Sequence, residues 1–449
     1  MNTQRIVQVL LILLLTVSLI PKVHAIEPAW IYPMNNVDIG NIAVSYDGST
    51  IIVAAGDLWI FSRDGTLIKK EPFGESVVIT PDGRYAASFF GSIIYFFRTP
   101  LTTGSPDPKQ LNMTWEYNCP DHVRSLDITE DGSTIGASTT GNVILIISTS
   151  TQNVASSDLF PNTIFGMPHS GWWIAGISAD TIRVYNSNAI VTGTYNTASV
   201  SQPDVMVLSQ TIPLMVFNDG QKIRGFDLST GTNLWTVRAT GKPISLAMTP
   251  SGSSTVAGTE NGNIDLYNDQ GELVWSHSSD NDGTLKTGIT AVALSKDGGV
   301  VAAGSADGRI LLLGAGGNLL GSYQAEDPVR YITVSWDGSI VLATDKKNLY
   351  AFYTAPSSQS SSSPVSYYQF NPKNLSQGSL NASGQNITSS QNPALQSGNP
   401  APTPAPVRAT ITELPTTYSI IRTPTQSPVS PIIPLMGIVV AVLLLVRRR

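Results

Sequence analysis

Between residues 27 and 356, short apolar runs alternate with polar turns, and the alternation repeats. ISLAMTPSGSSTVAGTENGNIDLYNDQGELVWSH starts at Ile244 and has apolar segments separated by PSG, ENG and DQG. AVALSKDGGVVAAGSADGRILLLGAGGNLLGSYQ starts at Ala291 and does the same with KDG, ADG and AGG. Apolar runs this short, bounded by glycine turns, predict strands. Asp-Gly and Asn-Gly pairs accept positive φ at little cost, so tight hairpins follow. The first-hairpin turns fall at Asp47-Gly48, Asp82-Gly83, Asp131-Gly132, Ser170-Gly171, Gln210-Thr211, Ser251-Gly252, Asp297-Gly298 and Asp337-Gly338.

That spacing, about 35 to 49 residues, is the period of a four-stranded propeller blade, which buries its faces only against neighbours. The expected fold is all-β, an eight-bladed β-propeller over residues 26–355. Two units are degenerate: IFGMPHSGWWIAGISADTIRVYNS, and VMVLSQTIPLMVFNDGQKIRGFDLSTG, which lacks the first Gly. A seven-bladed ring is therefore the runner-up. The last unit, VRYITVSWDGSIVLATDKKNLYAFY, stops after three strands. EPAWIYP near the N-terminus reads as the missing fourth, placing Trp30 beside Tyr350 and Phe352 and leaving no free sheet edge.

The two ends read differently. Residues 1–25 have Arg5, an apolar run from Ile6 to Ile20, Pro21, and Val23-His24-Ala25 as a small-residue cleavage site. This predicts a signal peptide. Residues 356–430 are rich in Ser, Pro, Thr, Asn and Gln and cannot bury enough apolar area to offset chain entropy, so a disordered stalk is expected. Residues 431–446 are apolar and predict one transmembrane helix, with Arg447–Arg449 as a basic cytoplasmic tail. This order places the propeller outside a single-pass cell membrane. Sequons at Asn112, Asn374, Asn381 and Asn386 then offer glycosylation acceptors.

Composition narrows the function. The chain has 449 residues, 13% charged, with 38 Gly and a formal charge of -6. Apart from the terminal RRR, no Lys/Arg cluster occurs, so a nucleic-acid partner is not expected. Cys119 is the only cysteine, which excludes an internal disulfide and a cysteine metal cage.

GFDLSTGTNLWTVRATG, Gly225–Gly241, resembles the docking segment of quinoprotein-type propeller repeats, with Asp227, Thr230-Gly231, Trp235 and Gly241 in the family's places. Trp30, Trp115 and Trp275 stand in partial copies. VALSKDGGVVAAGSADGRILLL resembles the looser WD-type repeat. In such segments the Trp covers the neighbouring blade and the Asp accepts hydrogen bonds from turn amides. These are structural roles.

Some quinoprotein dehydrogenases add an adjacent Cys-Cys pair, which one cysteine excludes. No base, metal-holding set or cofactor site can be assembled from the pattern. Trp172 and Trp173 read as packing residues. Ser170, in HSGWW, lacks the Gly-x-Ser-x-Gly of a nucleophile elbow. Asp280, Asn281 and Asp282 put three oxygen donors together, but without the spaced Asp and terminal Glu of a hand-type calcium loop. A solvated loop is favoured there, with calcium the weaker alternative. No catalytic residue and no cofactor are expected.

The layout resembles archaeal membrane-anchored cell-surface proteins. It implies a non-catalytic scaffold that binds an extracellular protein or glycan. The alternatives are a quinoprotein-type dehydrogenase or polysaccharide-active enzyme, and an envelope-assembly scaffold. Carboxylates clustered in the central channel would favour an enzyme. Partner loops are expected at Arg98–Leu111, Ser276–Gly288 and Asp121-His122.

Overall fold

The computed structural model describes residues 25–354, apart from 36, 100–111, 160–162, 169, 170, 172, 179, 198–200 and 280–286. The expected signal peptide, stalk, transmembrane segment and basic tail lie outside the described residues. Among the described residues, no helix is long and apolar enough to cross a membrane.

Every described element is a strand, and the strands form eight antiparallel sheets. Seven sheets have four strands each. Six of these run in simple up-and-down order, as in Pro243–Met248, Ser254–Thr259, Asn263–Asn268 and Leu273–Ser278 of blade six. The seventh is closed by a segment from the other end of the chain.

Blade one looks three-stranded because Thr50–Ser62 is continuous. Its first half pairs with Asn41–Val44 and its second half with Leu67–Gly74. Between the halves lie exposed Gly56, at φ 76°, and exposed Asp57. A glycine in that conformation reverses the chain without a Cβ clash. This one segment therefore supplies the second and third strands of a four-stranded blade.

The packing fixes the blade count. Among the described residues, eight clusters of buried apolar side chains exist, and each is built mainly from two consecutive blades. An open row of eight sheets has seven seams, and a closed ring has eight. The eighth seam joins blade eight to blade one: Ile340, Leu342 and Ala351 pack with Val53, Trp59 and Phe61. The seven-bladed alternative is excluded.

The ring is sealed as the sequence predicts. Trp30–Pro33 pairs antiparallel with Asn348–Tyr353 in the register Trp30↔Ala351 to Pro33↔Asn348. It thus completes the sheet of Tyr331–Val334, Ile340–Thr344 and Asn348–Tyr353. Just before it, the Ile26 amide donates to the Ser322 carbonyl of blade seven at 3.0 Å. The N-terminal segment therefore touches two blades.

The turns hold their shape by a recurring bond set. In blade eight the Asp337 carboxylate accepts from the Ser339 amide at 2.9 Å and from the Ser335 hydroxyl at 2.6 Å. Asp47, Asp82, Asp131 and Asp297 do the same in their blades. A carboxylate two residues before the amide is the Asx turn that makes Asp common there.

Candidate functional site

The residues flagged by the repeat motif are seam anchors. Trp235 Nε1 donates to the Asp269 carbonyl of blade six at 2.9 Å. A Cβ on Gly271 would lie 2.6 Å from the Trp235 ring, so the indole rests directly on that glycine. Trp275 Nε1 reaches the Ala315 carbonyl of blade seven at 2.8 Å, Trp115 the Thr149 carbonyl of blade three at 3.0 Å, and Trp30 the Arg63 carbonyl of blade one at 2.8 Å. Each spans one seam. Asp227 accepts from the Ser229 and Thr230 amides at 2.7 and 3.3 Å. Burial pushes its carboxyl up, but these bonds outweigh it and hold it below the usual range.

One anchor escapes the motif. In blade four Gly193 stands opposite Val184, the place that Trp275 holds opposite Leu266. Tyr195, two residues on, lays its ring over Gly193 and Gly231 and donates to the Leu228 carbonyl at 3.1 Å.

The first strands of the blades adjoin one another around the ring, so they border its axis. Their polar groups are used between blades. The Asn41 side chain exchanges two bonds with Val77, at 2.8 and 2.9 Å. Ser245 Oγ accepts from the Val292 amide at 3.0 Å, and Thr290 Oγ1 donates to the Val329 carbonyl at 2.6 Å. Asp127 is the one carboxylate within these eight strands. Burial pushes it up to about 7, against opposing bonds from the Met167 and Ile128 amides. A cluster of carboxylates, which would have favoured an enzyme, is not carried by these eight strands.

At the face formed by the first-hairpin turns, the residue before the Asp-Gly pair varies from blade to blade. Tyr46, Glu130, Lys296 and Trp336 hold this place in blades one, three, seven and eight. The Lys296 amide donates to the Trp336 carbonyl at 3.0 Å, and the Tyr46 amide to the Pro81 carbonyl at 3.0 Å. The Tyr46 and Trp336 rings are 6.1 Å apart, and Lys296 Nζ lies 5.2 Å from the Trp336 ring centre. Glu130 is pushed up to about 7 by burial first, then by Asp131 and Asp82, with Lys296 opposing. Sequence reasoning missed these four residues. Their signal is positional, and their types differ from blade to blade.

The opposite face carries charged pairs from several blades. Arg330 pairs with Asp38 at 2.5 Å, Lys242 with Asp204 at 2.7 Å, and Lys347 with Glu326 at 3.1 Å. Arg224 holds Asp219 at 2.7 Å, and that carboxylate also accepts from the Ser201 amide at 2.8 Å. Asp121 and His122 lie on this face between blades two and three.

No family model matches the chain, and no curated protein matches its sequence. Solved structures do. Sqt1 of Chaetomium thermophilum, bound to the N-terminus of ribosomal protein L10, superposes with a TM-score of 0.63 at 14% identity, over 73% of this chain and 100% of that one. Sqt1 of Saccharomyces cerevisiae gives 0.58 at 11% identity, over 74% and 99%. The likeness is one of fold.

That fold accounts for where the other predicted residues stand. Cys119 is buried and its thiol is pushed up to about 12 by that burial, so it is an inert packing group. Trp173 packs in the seam between blades four and five, while Trp172 and Ser170 lie outside the described residues. So do Asp280, Asn281 and Asp282, and with them the calcium alternative. Asn374, Asn381 and Asn386 lie outside as well. Asn112 begins the outer strand of blade two. Of the expected partner loops, most of Arg98–Leu111 and the middle of Ser276–Gly288 are also outside. Among the described residues, no three His, Cys, Asp or Glu side chains group as metal ligands.

Proposed function

We propose that this protein is a non-catalytic binding scaffold, held outside a membrane by its C-terminal segment, that engages a protein partner through the charged loop face. The observation that carries this is the contrast between the two parts of the ring. The inner strands spend their polar groups on blade-to-blade bonds. The charged side chains stand on loops held by rigid strands, with Asp38 and Glu326 largely solvent-exposed and Asp204 partly so. Exposed pairs of this kind contribute little to stability, about 0–1 kcal/mol each, and are free to exchange partners. Sqt1, of similar fold, holds the N-terminus of a ribosomal protein, which supports a protein as the partner class. The surface location rests on the signal-peptide, stalk and anchor readings of the sequence.

The test is crosslinked affinity capture from native membranes, comparing the wild type with an Arg330→Glu/Lys242→Glu variant. A partner that the wild type recovers and the charge-reversed protein loses supports the scaffold. Recovery of the protein alone, together with quinone-dependent oxidation of alcohols or sugars, overturns it.

A further inference from the structure

The seam between blades two and three holds a groove that points to a ligand. An open groove of about 740 Å³ lies there, at the rim of the ring. Its walls include Tyr117 and Asn118, from the end of the outer strand of blade two, and Ser156 and Asp158, from the outer strand of blade three. Leu145 and Cys119 form its buried floor.

Equivalent positions in two other seams are filled by larger or polar groups, while the seam between blades six and seven has aliphatic Leu311 and Leu313 there. The amides of Cys119, Ala239 and Ala325 make the same bond in their blades, to the carbonyls of Ser92, Gln221 and Gly308. This aligns the three seams. Between blades seven and eight, Tyr323 takes the place of Tyr117, and its ring packs on Tyr350 at 5.4 Å and Phe352 at 5.6 Å. Between blades five and six, Asp265 accepts from the Thr240 hydroxyl at 2.7 Å, the Ser276 hydroxyl at 2.6 Å and the Tyr267 hydroxyl at 3.2 Å. Between blades two and three, these third-strand positions are Leu145 and Ile147. Two aromatic rings, or one buried polar network, give way to smaller aliphatic groups, and the space stays open.

The wall groups are unspent. Among the described residues, none hydrogen-bonds or ion-pairs with the side chains of Tyr117, Asn118, Ser156 and Asp158, although Tyr117 is half-buried against the seam and the Asp158 carbonyl accepts from Arg183 and Tyr185. An aromatic ring, an amide, a hydroxyl and a carboxylate therefore surround an apolar floor. We propose that this groove binds a neutral pyranose sugar. A pyranose presents an apolar C–H face that suits Tyr117 and Leu145. Its rim of neighbouring hydroxyls both donates to Asp158 and pairs with the planar Asn118 amide. The volume falls within the range of about 300–1,000 Å³ usual for small-ligand sites. The carboxylate selects against acidic sugars. The proposal deepens the scaffold reading, but its residues are separate from the charged pairs of the loop face.

The test uses saturation-transfer NMR on the full chain. The probes are methyl glycosides of glucose, galactose, mannose and N-acetylglucosamine, and their disaccharides. Saturable transfer from at least one probe is expected. Asp158→Ala is expected to weaken that probe about tenfold. Ser156→Phe, at an exposed position, and Leu145→Tyr, which supplies the ring that Tyr350 provides in blade eight, are expected to abolish binding. The melting temperature of Ser156→Phe should stay unchanged, which separates a blocked groove from a damaged fold. No transfer from any probe overturns the proposal, as does equal binding by Ser156→Phe. These variants leave capture of a protein partner intact, so failure here is distinct from failure of the loop-face reading.

Discussion

Trp30 and Arg63 meet across the one seam where the two ends of the propeller chain join. The indole Nε1 of Trp30 donates to the Arg63 carbonyl at 2.8 Å, and the same carbonyl accepts from the Tyr353 hydroxyl at 2.9 Å. The Arg63 guanidinium in turn donates to the Ser339 hydroxyl at 2.9 Å. The closure therefore has no covalent lock. Beside the buried apolar seam, it rests on one short strand, one ring stacked at 6.4 Å on Phe61, and these bonds.

Trp30→Ala is accordingly expected to destabilise the protein by about 2–3 kcal/mol. That is below the cost of truncating a fully buried Trp, because this ring is half-exposed. Trp30→Phe keeps the stack and loses the bond to Arg63, for about 1 kcal/mol. Urea unfolding of the three proteins checks the order. A Trp30→Ala protein as stable as the wild type would show that the ring closes by other means.

Trp235 and Gly271 allow a cleaner measurement of seam packing. Gly271 sits at φ 76° beneath the Trp235 ring, so Gly271→Ala meets both backbone strain and a clash. About 2–3 kcal/mol of destabilisation is expected. In a Trp235→Ala background the clash is gone, and only the left-handed backbone cost of about 1 kcal/mol should remain. The coupling energy from this double-mutant cycle reads the contact directly. Additive effects would mean that ring and glycine do not touch in solution.

The Asx turns give a third expectation. Asp337→Asn keeps an acceptor for the Ser339 amide, whereas Asp337→Ala leaves that amide and two hydroxyls without it. The alanine variant should lose about 1–2 kcal/mol and the asparagine variant less than half of that, by thermal unfolding. Equal losses would place the effect in charge rather than in the turn.

The ring was legible in the sequence because its determinants are local and periodic. Asp47-Gly48 and its counterparts mark each first hairpin, and even Gln210-Thr211 turns where the missing glycine made the unit doubtful. The Trp anchors follow the same logic, since one aromatic residue at one register position is enough to define a seam. Tyr195 was missed because its ring reaches the anchor site from two residues away, over a glycine whose lack of side chain carries no local message. The first-hairpin face was missed for a different reason. Tyr46, Glu130, Lys296 and Trp336 share a place in the repeat but no chemistry, and only closure brings them together. The groove at Leu145 is a matter of volume, visible only beside the filled seams.

The carboxylates predict an unusual pH profile. Asp47, Asp131, Asp219, Asp227 and Asp307 are each pushed up by burial, yet hydrogen bonds outweigh it and hold them below the usual range. A group lowered on folding contributes stability above its unfolded value, near 4, and loses it as pH falls through the folded value. These five therefore produce an acid limb below about pH 4. Asp127 and Glu130 run the other way, with both pushed up to about 7. Between about pH 4 and 7 the folded protein holds protons on these two that the unfolded chain has released, so stability falls as pH rises through that window. The melting temperature is expected to peak near pH 4–5 and decline towards pH 8. Asp127→Asn and Glu130→Gln together should flatten the decline while leaving the acid limb in place. A wild-type melting temperature that rises from pH 5 to 8, or a decline that survives both substitutions, would remove the inner strand and the first-hairpin face as its source.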